Sequence, residues 1–150
     1  MFKFSLEKLL SYRQRVEEEK QLVLFGAKTE LQALENRLAQ LTEIVHDHER
    51  SFNEKSIQGM TVAEMLLYHH FLVKLSENIS HLGSEKGVIE QKLEERRLAL
   101  IEAEKDVKIL EKLREKERTV YLKEESRLEQ IFLNEMGISG FIRHKNKVKG

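Results

Sequence analysis

Cysteine, proline and tryptophan are absent from the 150 residues. Without cysteine no disulfide staple or thiolate metal site can form, and a reducing compartment suits the chain. No charge sign dominates, because 26 basic residues balance 26 acidic ones. That neutrality counts against an extended nucleic-acid surface or a basic membrane-binding face and favours protein partners. No stretch approaches about 18 consecutive apolar residues, and the opening MFKFSLEKLL has glutamate in its first turns rather than the apolar centre of a signal peptide. The chain therefore reads as soluble and cytoplasmic. Charged residues make up 35% of it, which with the missing proline is coiled-coil composition.

What is present is a seam. Twenty positions alternately three and four residues apart run Met65, Tyr68, Leu72, Leu75, Ile79, Leu82, Lys86, Ile89, Leu93, Arg96, Leu100, Ala103, Val107, Leu110, Arg114, Glu117, Tyr121, Glu124, Leu128 and Ile131, and fifteen of them are apolar. A mean spacing of about 3.5 residues keeps one face toward a neighbouring helix, the pattern of a left-handed coiled coil. The expected fold is all-α, a long two-helix antiparallel coiled-coil hairpin.

The first helix is expected over about residues 2–52, with a seam of Phe2, Leu6, Leu9, Arg13, Val16, Lys20, Val23, Ala27, Leu31, Leu34, Leu38, Leu41, Val45, His48 and Phe52. Two successive spacings of four at Val23, Ala27 and Leu31 read as a stutter, a local unwinding of the supercoil. Residues 53–60 lose the period and collect Asn, Ser and Gly, so they form the turn. Thr61-x-x-Glu64 fits a capping box opening the second helix over about 61–136, with Gly137 as its left-handed cap and 137–150 as a flexible basic tail. If the helices are antiparallel, facing positions such as His48 with Tyr68, Leu41 with Leu75 and Leu9 with Val107 have numbers summing to about 116. Lys20 opposite Arg96 and Arg13 opposite Ala103 are polar layers that fix register. At ~1.5 Å per residue the helices would be roughly 75 Å and 110 Å long, leaving an overhang of about twenty residues from Arg114 onward.

The residues at both ends resemble the FliJ family of flagellar type III export proteins: Phe4, Leu6, Leu9, Leu10, Arg13 and the Glu17-Glu18-Glu19 run, then Arg127, Glu129, Gln130, Asn134 and Glu135. Asn134 departs from the aspartate the family pattern would place there. The resemblance implies a non-enzymatic component of the flagellar export apparatus, similar in fold to the coiled-coil stalk of rotary ATPases. It further implies contact with the hexameric export ATPase at the end carrying both termini, with the export gate membrane protein and with export chaperones. Its setting would be the cytoplasmic face of the inner membrane.

Two candidate sites follow. The ATPase-binding tip comprises Phe2, Phe4, Arg13, Glu17, Lys112, Arg114, Arg118, Tyr121, Glu124, Arg127, Leu128, Gln130 and Phe132, which against a bland reading are a frayed or weakly self-associating end. The second is an apolar patch for the gate or a chaperone, Ile44, Leu66, Leu67 and Phe71, off the seam; it reads equally well as a widened core or a self-association site.

The remaining features are bland. His46, His48, His69 and His70 gather near the turn without an i, i+4 pair, so no metal is expected. Gly83-x-x-x-Gly87 in a charged helix suggests a bend or a close helix approach. Arg143, His144, Lys145, Lys147 and Lys149 read as a solubilising end, with no nucleic acid expected. No phosphate-binding loop or nucleophile elbow is present, and a two-helix rod offers little concavity, so neither catalysis nor a cofactor is expected. A stalk for the export ATPase leads; a chaperone-type clamp or chaperone-escort protein is the alternative.

Overall fold

The computed structural model describes residues 1–149, with side chains through Val148. It is an all-α hairpin of α1, Glu7–Gln58, and α2, Val62–Lys149. The chain divides into two compact units, one of Met1–Val16 with the chain from Ala103 onward, the other of Glu17–Glu102.

In the Glu17–Glu102 unit α1 and α2 run antiparallel, with Glu35 beside Lys86 and His48 beside Tyr68. Leu24, Ala27, Leu41 and Leu75 are its buried residues. Most other seam residues are only half-buried, since two helices cannot enclose a side chain on all sides. Lys86, a polar interruption of the seam, lies 3.7 Å from Glu35 and 3.8 Å from Glu90, which keeps its ammonium paired where an apolar residue would otherwise sit.

The turn is shorter than its composition suggests. Asn53–Gln58 stays helical because nothing in it breaks a helix, and reversal waits for Gly59, whose φ of 107° suits a residue without Cβ. The Glu64 amide donates to Thr61 Oγ1 at 3.2 Å, half of the expected capping box.

In the other unit the first six residues are not helical, which corrects the expected start at residue 2. Phe2 and Phe4 would lie about 200° apart on a helix, yet both serve one core here. Phe4, Leu10, Val107 and Leu110 form that core, and Phe2 packs on it. Burying both rings requires a non-helical arm, and α1 begins only after it. At the far end α2 passes through Gly137 and Gly140 to Lys149, so neither the cap at Gly137 nor a separate tail from residue 137 forms. Each interior glycine costs about 1 kcal/mol relative to alanine, but with no proline the hydrogen-bond ladder continues. Arg143, His144, Lys145 and Lys147 are exposed on this helix; the side chain of Lys149 lies outside the described residues.

The expected stutter is also absent. Leu24 rather than Val23, and Leu10 rather than Leu9, are buried, so α1 keeps an unbroken alternation of three and four from Leu10 to Phe52. On that alternation Arg13 and Glu17 are half-buried and Lys20 exposed. The helix holds its phase and accepts polar residues at these positions. On α2 every seam position from Tyr68 to Tyr121 is buried or half-buried, while Glu124, Leu128 and Ile131 are exposed. The partnered part of α2 therefore ends at Tyr121, not Arg114.

Candidate functional site

The N-terminal arm is fastened to α2 by a short ladder. The Ser5 hydroxyl donates to Glu117 Oε1 at 2.8 Å and the Ser5 amide to Oε2 at 3.4 Å. The Met1 amino group donates to the Tyr121 hydroxyl at 2.9 Å, and the Phe2 ring packs on that of Tyr121 with centroids 5.6 Å apart. Glu117 and Tyr121 are one turn apart on α2, so a single helix face holds the whole arm. Below it Arg13 pairs with Asp106 at 3.3 Å and lies over the Tyr12 ring, its carbon 6.0 Å from the centroid.

The expected tip residues therefore separate by role. Phe4 is core and presents almost nothing to a partner. Phe2, Arg114 and Tyr121 are half-buried within the clasp region, and Arg13 is committed to Asp106. Glu17 belongs to the other unit and does not join the tip. Lys112, Arg118, Glu124, Arg127, Leu128, Gln130 and Phe132 are exposed. Glu124 and Arg127 form a bidentate pair at 2.5 and 3.0 Å. The Arg127 hydrogen bonds and charge hold the Glu124 carboxyl below its ordinary range and push the guanidinium up. Gln130 donates to Asn134 at 3.2 Å, one turn on.

Ser5, Glu117, Met1 and Asp106 were not legible as site residues. Their one sequence cue is that Glu117 and Tyr121 continue the seam beyond the last apolar partner on α1, where a polar clasp can replace a buried layer.

Within the Glu17–Glu102 unit an apolar groove of about 680 Å³ opens beside the turn, lined by His48, Glu49, Phe52, Asn53, Val62, Met65, Leu66, Tyr68, His69 and Leu72. His48 Nε2 donates to the Tyr68 carbonyl at 2.9 Å, which fixes the tautomer, because a carbonyl can only accept. Its ring also packs against Tyr68 and Phe71, at 4.7 and 4.6 Å between centroids. Of the expected patch, Leu66 lines the groove, Phe71 packs on His48, and Ile44 and Leu67 are exposed outside the lining. Gly83 and Gly87 have open space where a Cβ would stand, so neither marks a close helix approach.

Among the described residues no group of histidine and carboxylate could hold a metal ion, and no helix is long and apolar enough to cross a membrane. No curated protein and no solved structure matches the chain. Among protein families, the one described as Flagellar FliJ protein matches residues 2–146, nearly the whole length. A helical hairpin whose second helix runs far past the clasped N-terminal arm thus belongs to the FliJ family, and the chain is a component of the flagellar export apparatus.

Proposed function

We propose that the chain acts as a non-enzymatic, stalk-like regulator of the export ATPase hexamer, engaging it with the unit that carries the N-terminal arm and the free part of α2. The observation that carries this reading is the stretch 122–148, helical throughout and exposed at every position. A helix with no packed face is only marginally held in water, so its order and its apolar residues are most useful when a partner covers it. Family membership supports seeking that partner within the export apparatus. The groove beside the turn would serve a second contact, with the export gate or a chaperone, and it favours the chaperone-escort function as the alternative.

The test is an ATPase assay of the cognate export hexamer with the full chain and with a chain ending after Leu122, which keeps the Glu117 and Tyr121 clasp. Stimulation by the full chain and none by the truncated one is expected, together with slower amide exchange over 122–148 on binding. Equal stimulation by both chains would move the contact away from this segment. ATP turnover by the chain alone would overturn the non-enzymatic role.

A further inference from the structure

A second groove, of about 680 Å³, lies where the N-terminal arm crosses α2. Met1, Phe2, Val120 and Tyr121 give it an apolar wall, and Lys3 and Lys116 line it as cations. Its two carboxylates are already engaged. Glu117 accepts the hydroxyl and the amide of Ser5, and Glu124 accepts two hydrogen bonds from Arg127. Lys3 and Lys116 make no ion pair among the described residues. With the Met1 amino group and Arg127, four cationic groups therefore stand against two carboxylates here.

The side of α2 that borders the groove has the same character. On a helix turning about 100° per residue, Ile109, Lys112, Leu113, Lys116, Val120 and Lys123 share an arc of about 100°. All six are exposed. The carboxylates between residues 107 and 123, Glu111, Glu115 and Glu117, all fall outside that arc. Lys112 and Lys123, like Lys116, make no ion pair among the described residues. At ~1.5 Å per residue the face from Lys112 to Lys123 is roughly 16 Å long, the span of a partner helix of about three turns.

We infer that this face binds an acidic amphipathic helix of a partner protein, which sets one apolar side chain in the groove and its carboxylates against Lys3, Lys112, Lys116 and Lys123. A recess takes an apolar anchor from outside, and unpaired cations beside it select carboxylates. A lipid surface would instead need large apolar groups free to insert between headgroups, and here the Phe2 and Tyr121 rings pack on each other. Each exposed ion pair contributes little alone, so the contact is reversible and weakened by salt. Assigning that helix to a subunit of the export ATPase rests on the proposed function; the chemistry of the face does not.

Fluorescence anisotropy of the full chain tests it, with a labelled helical peptide of about four turns that carries leucine along one face and glutamate elsewhere. Saturable binding of this peptide, weakened by salt, is expected, and none of a version with lysine for glutamate. Lys116→Glu with Lys123→Glu weakens binding roughly tenfold, and Val120→Glu weakens it too. All three positions are exposed, so helicity by circular dichroism stays constant. Lys28→Glu with Lys92→Glu, exposed positions of the other unit, leaves binding unchanged. Since the hexamer is absent from this assay, a chain that binds the peptide yet fails to stimulate the ATPase supports the inference and refutes the proposed function alone. Equal binding of both peptides, no binding of the glutamate peptide up to about 1 mM, or full binding by the Lys116→Glu and Lys123→Glu chain would each overturn the inference. So would binding of phosphatidylserine vesicles that the same double change abolishes.

Discussion

Leucine and valine one residue apart decide whether α1 carries a stutter. Leu24 is 8% exposed and Val23 45% exposed. Leu24→Ala removes three buried carbons, and because a two-helix core relaxes around a deletion, the cost falls near the lower part of the usual range, about 2–3 kcal/mol. Val23→Ala removes two carbons that are already about half in water, roughly 0.9 kcal/mol of transfer free energy. Replacing a β-branched residue by alanine inside a helix returns about 0.5 kcal/mol, leaving a net loss of only ~0.4 kcal/mol. Urea denaturation followed by far-ultraviolet circular dichroism should therefore show a clearly lowered midpoint for Leu24→Ala and an almost unmoved one for Val23→Ala. Leu10, fully buried, and Leu9, 40% exposed, form a second pair of the same design in the other unit. If Val23→Ala cost as much as Leu24→Ala, the unbroken heptad phase would be wrong and the stutter would return.

Cysteines replacing Leu10 and Val107 should link within one chain under mild oxidation, since both lie in one core cluster, while the pair at Leu9 and Val107 should lag; the reverse order would contradict the phase. Gly83→Ala and Gly87→Ala should each stabilise the chain by about 0.5–1 kcal/mol, as a Cβ meets nothing at either position; a fall in the denaturation midpoint would reveal a close approach. The Glu124 carboxyl is depressed by its bond from Arg127, so the contribution of this pair to the helix is present above the carboxyl's unfolded pKa and disappears as pH falls through the folded one. An NMR titration should place Glu124 below its own value in Arg127→Ala, and equal values would show that the pair does not form in solution.

The helical class, the antiparallel sense and the face of α2 were all legible, because a 3.5-residue period persists there for many turns and needs no tertiary information. Where the reading of α1 failed, it followed residue identity rather than phase. Val23 and Leu9 are apolar, yet the buried positions are their neighbours Leu24 and Leu10, while Val16 and Glu17 are both half-buried. Supercoil phase is a property of the whole helix, and shifting it to bury one valine disturbs every layer beyond. The turn was misjudged for a related reason. Asn53 and Ser56 discourage helix only weakly, and the Ser56 hydroxyl is satisfied by the Asn53 carbonyl at 2.9 Å inside the helix. The arm of residues 1–6 was invisible, because two phenylalanines at a spacing of two fit a seam residue beside a neighbour as easily as a non-helical segment. Of the expected tip, the residues beyond Tyr121 are exposed, as a surface contact would need; the fastening at the arm was not legible, since hydrogen bonds from Ser5 to Glu117 leave no periodic trace.

That fastening determines where α2 becomes free. A coiled-coil pair normally ends where one helix ends, and its last turn frays because no apolar layer follows. Here α1 starts at Glu7, but the arm before it carries the partnered region of α2 up to Tyr121 by means a helix could not use. Phe2 turns its ring onto Tyr121, and Ser5 supplies a hydroxyl and an amide to one carboxylate. Leu6 is the residue whose carbonyl accepts the first helical bond, from Leu10, so this helix start lacks a serine, threonine, aspartate or asparagine cap and Ser5 stands one position before it. Glu117 therefore holds the residue just ahead of the helix rather than the amides of its first turn. It ties the beginning of α1 to the point on α2 beyond which, from residue 122 onward, every described position is exposed. A boundary held by a few exposed hydrogen bonds and one tilted ring pair is weak enough to open and specific enough to define one starting point, and a partner that covers α2 from residue 122 onward meets the clasp at its first turn.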